Sequence, residues 1–133
     1  MQVEWLFLAD SAEVIQNRLY TMGGGWESLQ VHTAFPIIQH FSVALSVKLG
    51  KSEVGQSHEF ALDIEDPNGT LLATVEADFE LIPESGSSQE FHRWQFATSV
   101  DLEIAQAGKH QVIIHLAGQE AARLAFQVES AET

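Results

Sequence analysis

The stretch Glu59-Phe60-Ala61-Leu62-Asp63-Ile64-Glu65-Asp66-Pro67-Asn68-Gly69-Thr70-Leu71-Leu72-Ala73-Thr74-Val75-Glu76-Ala77-Asp78-Phe79-Glu80-Leu81 decides the fold class. Phe60, Leu62 and Ile64 alternate with Glu59, Asp63 and Glu65. After a break, Leu71, Ala73, Val75, Ala77, Phe79 and Leu81 alternate with Thr74, Glu76, Asp78 and Glu80. A period of two places one set of side chains on a buried face and the other in water, as in antiparallel sheets. In the break, Asp66-Pro67-Asn68-Gly69 combines a proline with fixed φ and a glycine free to take φ > 0, so it reads as a tight hairpin.

The same period extends in both directions. Upstream, Phe41, Val43, Leu45, Val47 and Leu49 are separated by Ser42, Ser46 and Lys48, which reads as a strand with one solvated face. Downstream, Trp94, Phe96, Val100, Leu102 and Ile104 keep to even positions, which puts Trp94 in the core. Val112, Ile114 and Leu116, then Leu124, Phe126 and Val128, complete the series. Ala107-Gly108-Lys109 and Ala117-Gly118-Gln119 are further turns. Seven to nine short strands with frequent turns predict an all-β fold, an antiparallel two-sheet β-sandwich. The closing pair Lys109–Leu116 and Ala122–Val128 gives it an immunoglobulin-like outline. One domain over 1–129 is expected, with a frayed tail at 130–133 and a polar, mobile loop at Pro83–Gln89.

Composition narrows the function. Six Lys plus Arg stand against nineteen Asp plus Glu, a formal net charge of −13. Such a surface repels phosphate backbones and anionic lipid, which argues against nucleic-acid and membrane partners; the charge itself reads either as a device for solubility or as a match to a basic partner or ligand. There is no cysteine, so disulfides, thiolate metal sites and cysteine nucleophiles are excluded. Met1–Asp10 lacks the basic start of a signal peptide, and no run is long and apolar enough for a membrane span. A cytoplasmic protein is expected.

Known chemistries fail on spacing. Gly23-Gly24-Gly25 is followed by Trp26-Glu27-Ser28, with an acid where a phosphate would bind. Gly50-Lys51-Ser52 ends like a phosphate loop, but Leu45 stands where the motif needs glycine. Asp63, Glu65, Asp66 and Asn68 cluster near a turn, but with Gly69 in its fixed place the first calcium ligand of an EF-hand would be Ile64. Of six histidines none pairs at i, i+2, so they read as scattered surface residues. His110 and His115 fall on opposite faces of a regular strand. No serine stands in a nucleophile-elbow context. No catalytic residue, cofactor or metal is assigned.

The N-terminus carries the candidate site. Asp10-Ser11-Ala12-Glu13 has the form of a helix capping box, followed by Ala12, Ile15 and Leu19 at helical spacing. The competing reading ends one strand at Val14-Ile15, turns at Gln16-Asn17 and starts another at Arg18–Met22. The glycines stop any helix within three turns and favour the strands. Three consecutive glycines mark a bulge or sheet-switching bend that lets Trp26 fold into or over the core. Trp5 is in phase with Val3 and Phe7, while Leu6 and Leu8 make the other face apolar too. A central strand or one covered by a partner is implied. The surface near Trp5, Leu6, Leu8 and Trp26 is therefore the candidate protein contact. Asp10, Gly23, Gly24, Gly25 and Trp26 form the candidate loop-end site for a small molecule.

The blocks Leu8-Ala9-Asp10-Ser11-Ala12-Glu13-Val14, Arg18-Leu19-Tyr20 and Met22-Gly23-Gly24-Gly25-Trp26 resemble a family of small uncharacterised bacterial proteins. These share the order A-D-x-A-E-V, K/R-L-Y and G-G-G-W. Gln16-Asn17-Arg18 departs from the Asn-Gly-Lys common there. The resemblance implies a small bacterial β-sandwich and supplies no catalytic residues. The expected function is a non-enzymatic protein-interaction or assembly module. The alternatives are a small-molecule binder or enzyme at the loop end, and self-association through an open sheet edge, with Lys48, Glu76 and Asp78 as gatekeepers.

Overall fold

A computed structural model describes residues 1–82 and 90–131. The predicted loop Pro83–Gln89 lies outside the described residues. Nine strands are present among those described: β1 (Gln2–Ile15), β2 (Arg18–Trp26), β3 (Ser28–Val31), β4 (Ile37–Gly50), β5 (Ser57–Glu65), β6 (Leu71–Glu80), β7 (Phe91–Ile104), β8 (Gly108–Leu116) and β9 (Gln119–Ser130). They form two sheets, β2-β1-β4-β7 and β3-β9-β8-β5-β6. The core between them draws Leu8, Phe41, Val43, Leu45 and Val47 from the first, and Phe60, Leu62, Ile64, Val112, Ile114 and Phe126 from the second. This is the all-β, two-sheet arrangement that the alternation predicts.

The predicted turns form as their residues require. Asp66 Oδ1 accepts the backbone N–H groups of Asn68 and Thr70, and Gly69 takes φ 81°. Gln16 and Asn17 both adopt positive φ, 51° and 57°, and join β1 to β2 as a two-residue hairpin. The capping-box reading of Asp10–Glu13 is thereby excluded. One pairing departs from the antiparallel rule: β3 runs parallel to β9. β2 ends at Trp26 in one sheet and β3 starts at Ser28 in the other, so the chain switches sheets across Glu27. At the other end of the chain Ser130 closes β9, and Ala131 N–H donates to Val31. The last two residues of the predicted tail lie outside the described residues.

Two expectations about side-chain phase are corrected. Val3 packs on the main core, yet Trp5 faces away from it, because the register of β1 against β4 shifts between Val3 and Trp5. Glu4 is the extra residue, and a bulge reverses every later side chain. In β4, Ser42, Ala44 and Ser46 are fully buried although the alternation puts them on a solvated face. A second apolar cluster covers them, in which Trp5, Phe7, Leu19 and Ala97 pack on Ala9, Ala12 and Ala44.

The origin of that cluster is a reversal of the chain. β1 pairs with β4 only as far as Ala9, opposite Ser42. If β1 ran on straight, its tip would pass the Ile37 end of β4, whose neighbours in β7 are Asp101–Ile104. Asn17 instead bonds to Arg93 and Gln95, at the other end of β7. The β1–β2 hairpin therefore folds back across the outer face of its own sheet.

Candidate functional site

The glycine run makes the corner of this fold-back. Leu8 pairs with Trp26 and Ala9 with Gly24, leaving Gly25 as the unpaired residue of a bulge. Gly25 has φ 92° and open space around it, whereas Gly23 has φ 63° and lies under Asp10. A Cβ on Gly23 would stand 2.4 Å from the Asp10 carboxylate. Gly24 lies against the Phe7 ring, 3.1 Å from where its own Cβ would be. Backbone freedom at Gly25 and close approach at Gly23 and Gly24 are the physical reasons for the triplet.

The structure separates the residues that the sequence groups together. Leu8 is fully buried, and Leu6 packs against the main core. Trp26 turns inward, edge-on to Phe41 at 5.5 Å and to Phe126 at 6.2 Å between ring centroids. Trp5 stacks on Phe7 at 5.4 Å within the cluster under the hairpin. Asp10 and Gly23–Gly25 remain exposed at the corner. The expected contact surface of Trp5, Leu6, Leu8 and Trp26 is thus divided between two interiors, because β1 is covered on both faces by its own chain.

Trp94 lies with the core as predicted, stacked on Phe79 with centroids 3.9 Å apart and planes 5° from parallel. His110 overturns the reading of the histidines as surface residues. It is fully buried, stacked on Phe126 at 5.3 Å, with Nδ1 3.2 Å from the Gly108 carbonyl oxygen. Its Nε2 and the Trp26 Nε1 find no partner in the protein among the described residues. His115 occupies the opposite face of β8 and reaches Asp63 at 3.3 Å.

A concave site does form, away from the glycine corner. It is an open hollow of about 590 Å³ on the outer face of the second sheet, lined by Glu59, Ala61, Asp63, Glu76, Asp78 and His115 among others. Its floor follows from the register: Ala61 sits between Glu76 on one side and His115 on the other. A small side chain flanked by long ones leaves a depression. Glu59 and Asp78 are directly opposite each other in the ladder. Like charges in that relation destabilise a sheet. Asp63 is steadied by the Thr74 hydroxyl at 2.6 Å and by His115. By alternation alone these acids form an ordinary solvated face. The signal that could have singled them out is the absence of any Lys or Arg from Ser57 to Glu80.

The fold and site define an all-β protein of two sheets, one face self-covered and the other open and acidic. Within that class, the chain belongs to DUF6941, a family of unknown function that matches residues 4–129. No curated protein matches it. Among solved structures, the chain is similar to the Pseudomonas fluorescens alkylpurine DNA glycosylase AlkC bound to DNA containing an abasic site analog. The TM-score is 0.44 at 7% identity, over 93% of this chain. The chain spans 30% of the length of that protein. No helix is long and apolar enough to cross a membrane among the described residues.

Proposed function

We propose that the protein is a non-enzymatic interaction module that receives a basic, extended segment of a partner protein on the outer face of the second sheet. The observation that carries this reading is the Glu59–Asp78 pair, two like charges held opposite each other at the rim of an alanine-floored hollow. An arrangement that costs stability in the free protein is relieved when lysine or arginine side chains settle between the two carboxylates. Glu76 and Asp63 extend the negative field along the same hollow, and β5 and β6 carry no cation to oppose it. β6 also ends its sheet, so a partner strand has backbone groups to meet. We take the module to have an immunoglobulin-like outline, on its closing β8–β9 hairpin, and to act in the cytoplasm, in keeping with a chain free of cysteine.

The test is a titration of a labelled peptide of alternating lysine and valine, followed by fluorescence anisotropy. Binding should weaken as salt rises and fall at least about tenfold in Glu59→Gln/Asp78→Asn. A glutamate–valine peptide should not bind. Equal binding of both peptides, or of the lysine peptide to wild type and variant, would refute the reading.

A further inference from the structure

The β7 edge carries a second, independent inference. β7 ends the first sheet and pairs on one side only, with β4, among the described residues. At the Phe91 end of that edge sits the tip of the β1–β2 hairpin. The Asn17 side-chain amide donates from Nδ2 to the Arg93 carbonyl oxygen at 3.1 Å and accepts the Gln95 N–H at Oδ1, 3.2 Å. Gln95 Nε2 in turn donates to the Asn17 carbonyl oxygen at 2.5 Å. An amide that bonds the carbonyl of residue i and the N–H of residue i+2 reproduces what a neighbouring strand would do. Asn17 is a one-residue substitute for a strand.

These bonds also show which residues face the open edge. In an antiparallel ladder, both backbone groups of a residue point to the same side, and the side alternates along the strand. Arg93 and Gln95 point outward from β4, so Ala97, Ser99, Asp101 and Glu103 do too. A long edge of this kind is a template for pairing.

We propose that the hairpin is a clasp, and that its release lets β7 pair antiparallel with β7 of a second copy about an axis through Ala97. This register sets Arg93 of each chain opposite Asp101 of the other, and Gln95 opposite Ser99. Two equivalent Arg93–Asp101 ion pairs form about the axis. On the core side, Trp94 and Phe96 meet Val100 and Thr98 and extend the apolar layer. Small Ala97 at the axis lets the backbones approach. In the free chain Arg93 is held by Glu4 at 2.7 Å and Asp101 by His40 at 2.7 Å, so the pairing exchanges these two contacts for the ones across the axis. The pairing has to overcome the repulsion of two acidic chains, so it strengthens as salt screens their net charge.

The experiment is sedimentation of wild type and Asn17→Ala at 0.15 M salt and above, with circular dichroism to confirm folding. Wild type should sediment as a monomer. Asn17→Ala should associate with a dimer dissociation constant at least about tenfold lower, and Gln95→Ala, which removes only the return bond, should shift the same way by less. The chain has no cysteine, so single cysteines report register. In the Asn17→Ala background, Ala97→Cys should form a disulfide-linked dimer and Asp101→Cys should not. Ser99→Pro removes one outward N–H and keeps the backbone bonds to β4, at the cost of the Ser42–Ser99 hydroxyl contact, and should restore the monomer in protein that circular dichroism shows to be folded. Folded variants at Asn17 and Gln95 that remain monomeric would overturn the proposal. Equal cross-linking at positions 97 and 101, or a dimer that survives Ser99→Pro, would overturn it as well.

Discussion

Each of the two sheets turns one face away from the shared core, and the two faces are treated in opposite ways. On the first sheet, small residues, Ala9, Ser42, Ala44, Ser46 and Ala97, lie beneath the protein's own hairpin. On the second, Glu59, Asp63, Glu76 and Asp78 stand open around a hollow. Both sets occupy the polar positions of an alternating pattern. Alternation defines which side chains leave the core, and side-chain size and charge then decide whether anything can lie over them. Serine and alanine let a second layer come close. Ser42 satisfies its hydroxyl with Ser99 at 3.1 Å, whereas paired carboxylates keep any uncharged layer away.

The largest effect expected is at the boundary between the two regions. Trp26→Ala should lower unfolding free energy by about 3–5 kcal/mol in urea denaturation, because the indole packs on Phe41 and Phe126. A change below about 1 kcal/mol would return Trp26 to the surface and break its assignment to the core. Next comes the corner itself. Gly23→Ala should cost about 1–3 kcal/mol, from its positive φ together with the Asp10 carboxylate 2.4 Å from the new Cβ. Gly25→Ala meets open space, so its cost comes from the positive φ alone and should not be recovered by Asp10→Ala. In Asp10→Ala/Gly23→Ala the steric part of the loss should be recovered and the φ part should remain. Equal costs of Gly23→Ala with and without Asp10→Ala would mean that the close approach has no energetic weight.

The acidic face should respond in the other direction. Glu59→Gln/Asp78→Asn should raise stability by about 0.2–1 kcal/mol, since it removes a like-charge cross-strand pair. The same change should impair binding of the basic peptide, and that combination separates a functional cost from a packing defect. The smallest effect belongs to Glu120. Its carboxyl is held below the usual carboxylate range by a hydrogen bond from the Arg123 guanidinium, with the Arg123 charge adding to this. A depressed value means that the favourable contact exists above the ordinary carboxylate pKa and is lost as pH falls through the lowered one. The pair is exposed, so an NMR titration should move toward the ordinary midpoint in Arg123→Gln while stability stays unchanged. A shift in stability would show that the second sheet depends on its surface ion pairs.

Much of the architecture was legible in the residues. Alternation predicted the strands from β4 to β9, and Asp66-Pro67-Asn68-Gly69 predicted its hairpin. The glycine triplet predicted a bulge or sheet switch, which the unpaired Gly25 and the crossing at Glu27 supply. The hidden parts depend on phase and on distance along the chain. One extra residue at Glu4 reverses Trp5 relative to Val3, and a period of two has no means of announcing a slip. The burial of His110 depends on Phe126 from the next strand.

The candidate sites divide in the same manner. The all-β class, the turns, the acidic character of β5 and β6 and the failed catalytic spacings follow from the residue order alone. These are local properties, set by neighbours within a few residues. The interior places of Leu8 and Trp26, the covering of Ser42 and Ser46, and the meeting of Asn17 with Arg93 and Gln95 arise only in the folded chain. Each of these joins positions remote in the chain through a corner whose direction follows from three-dimensional packing. A pattern of polar and apolar residues does not encode that direction.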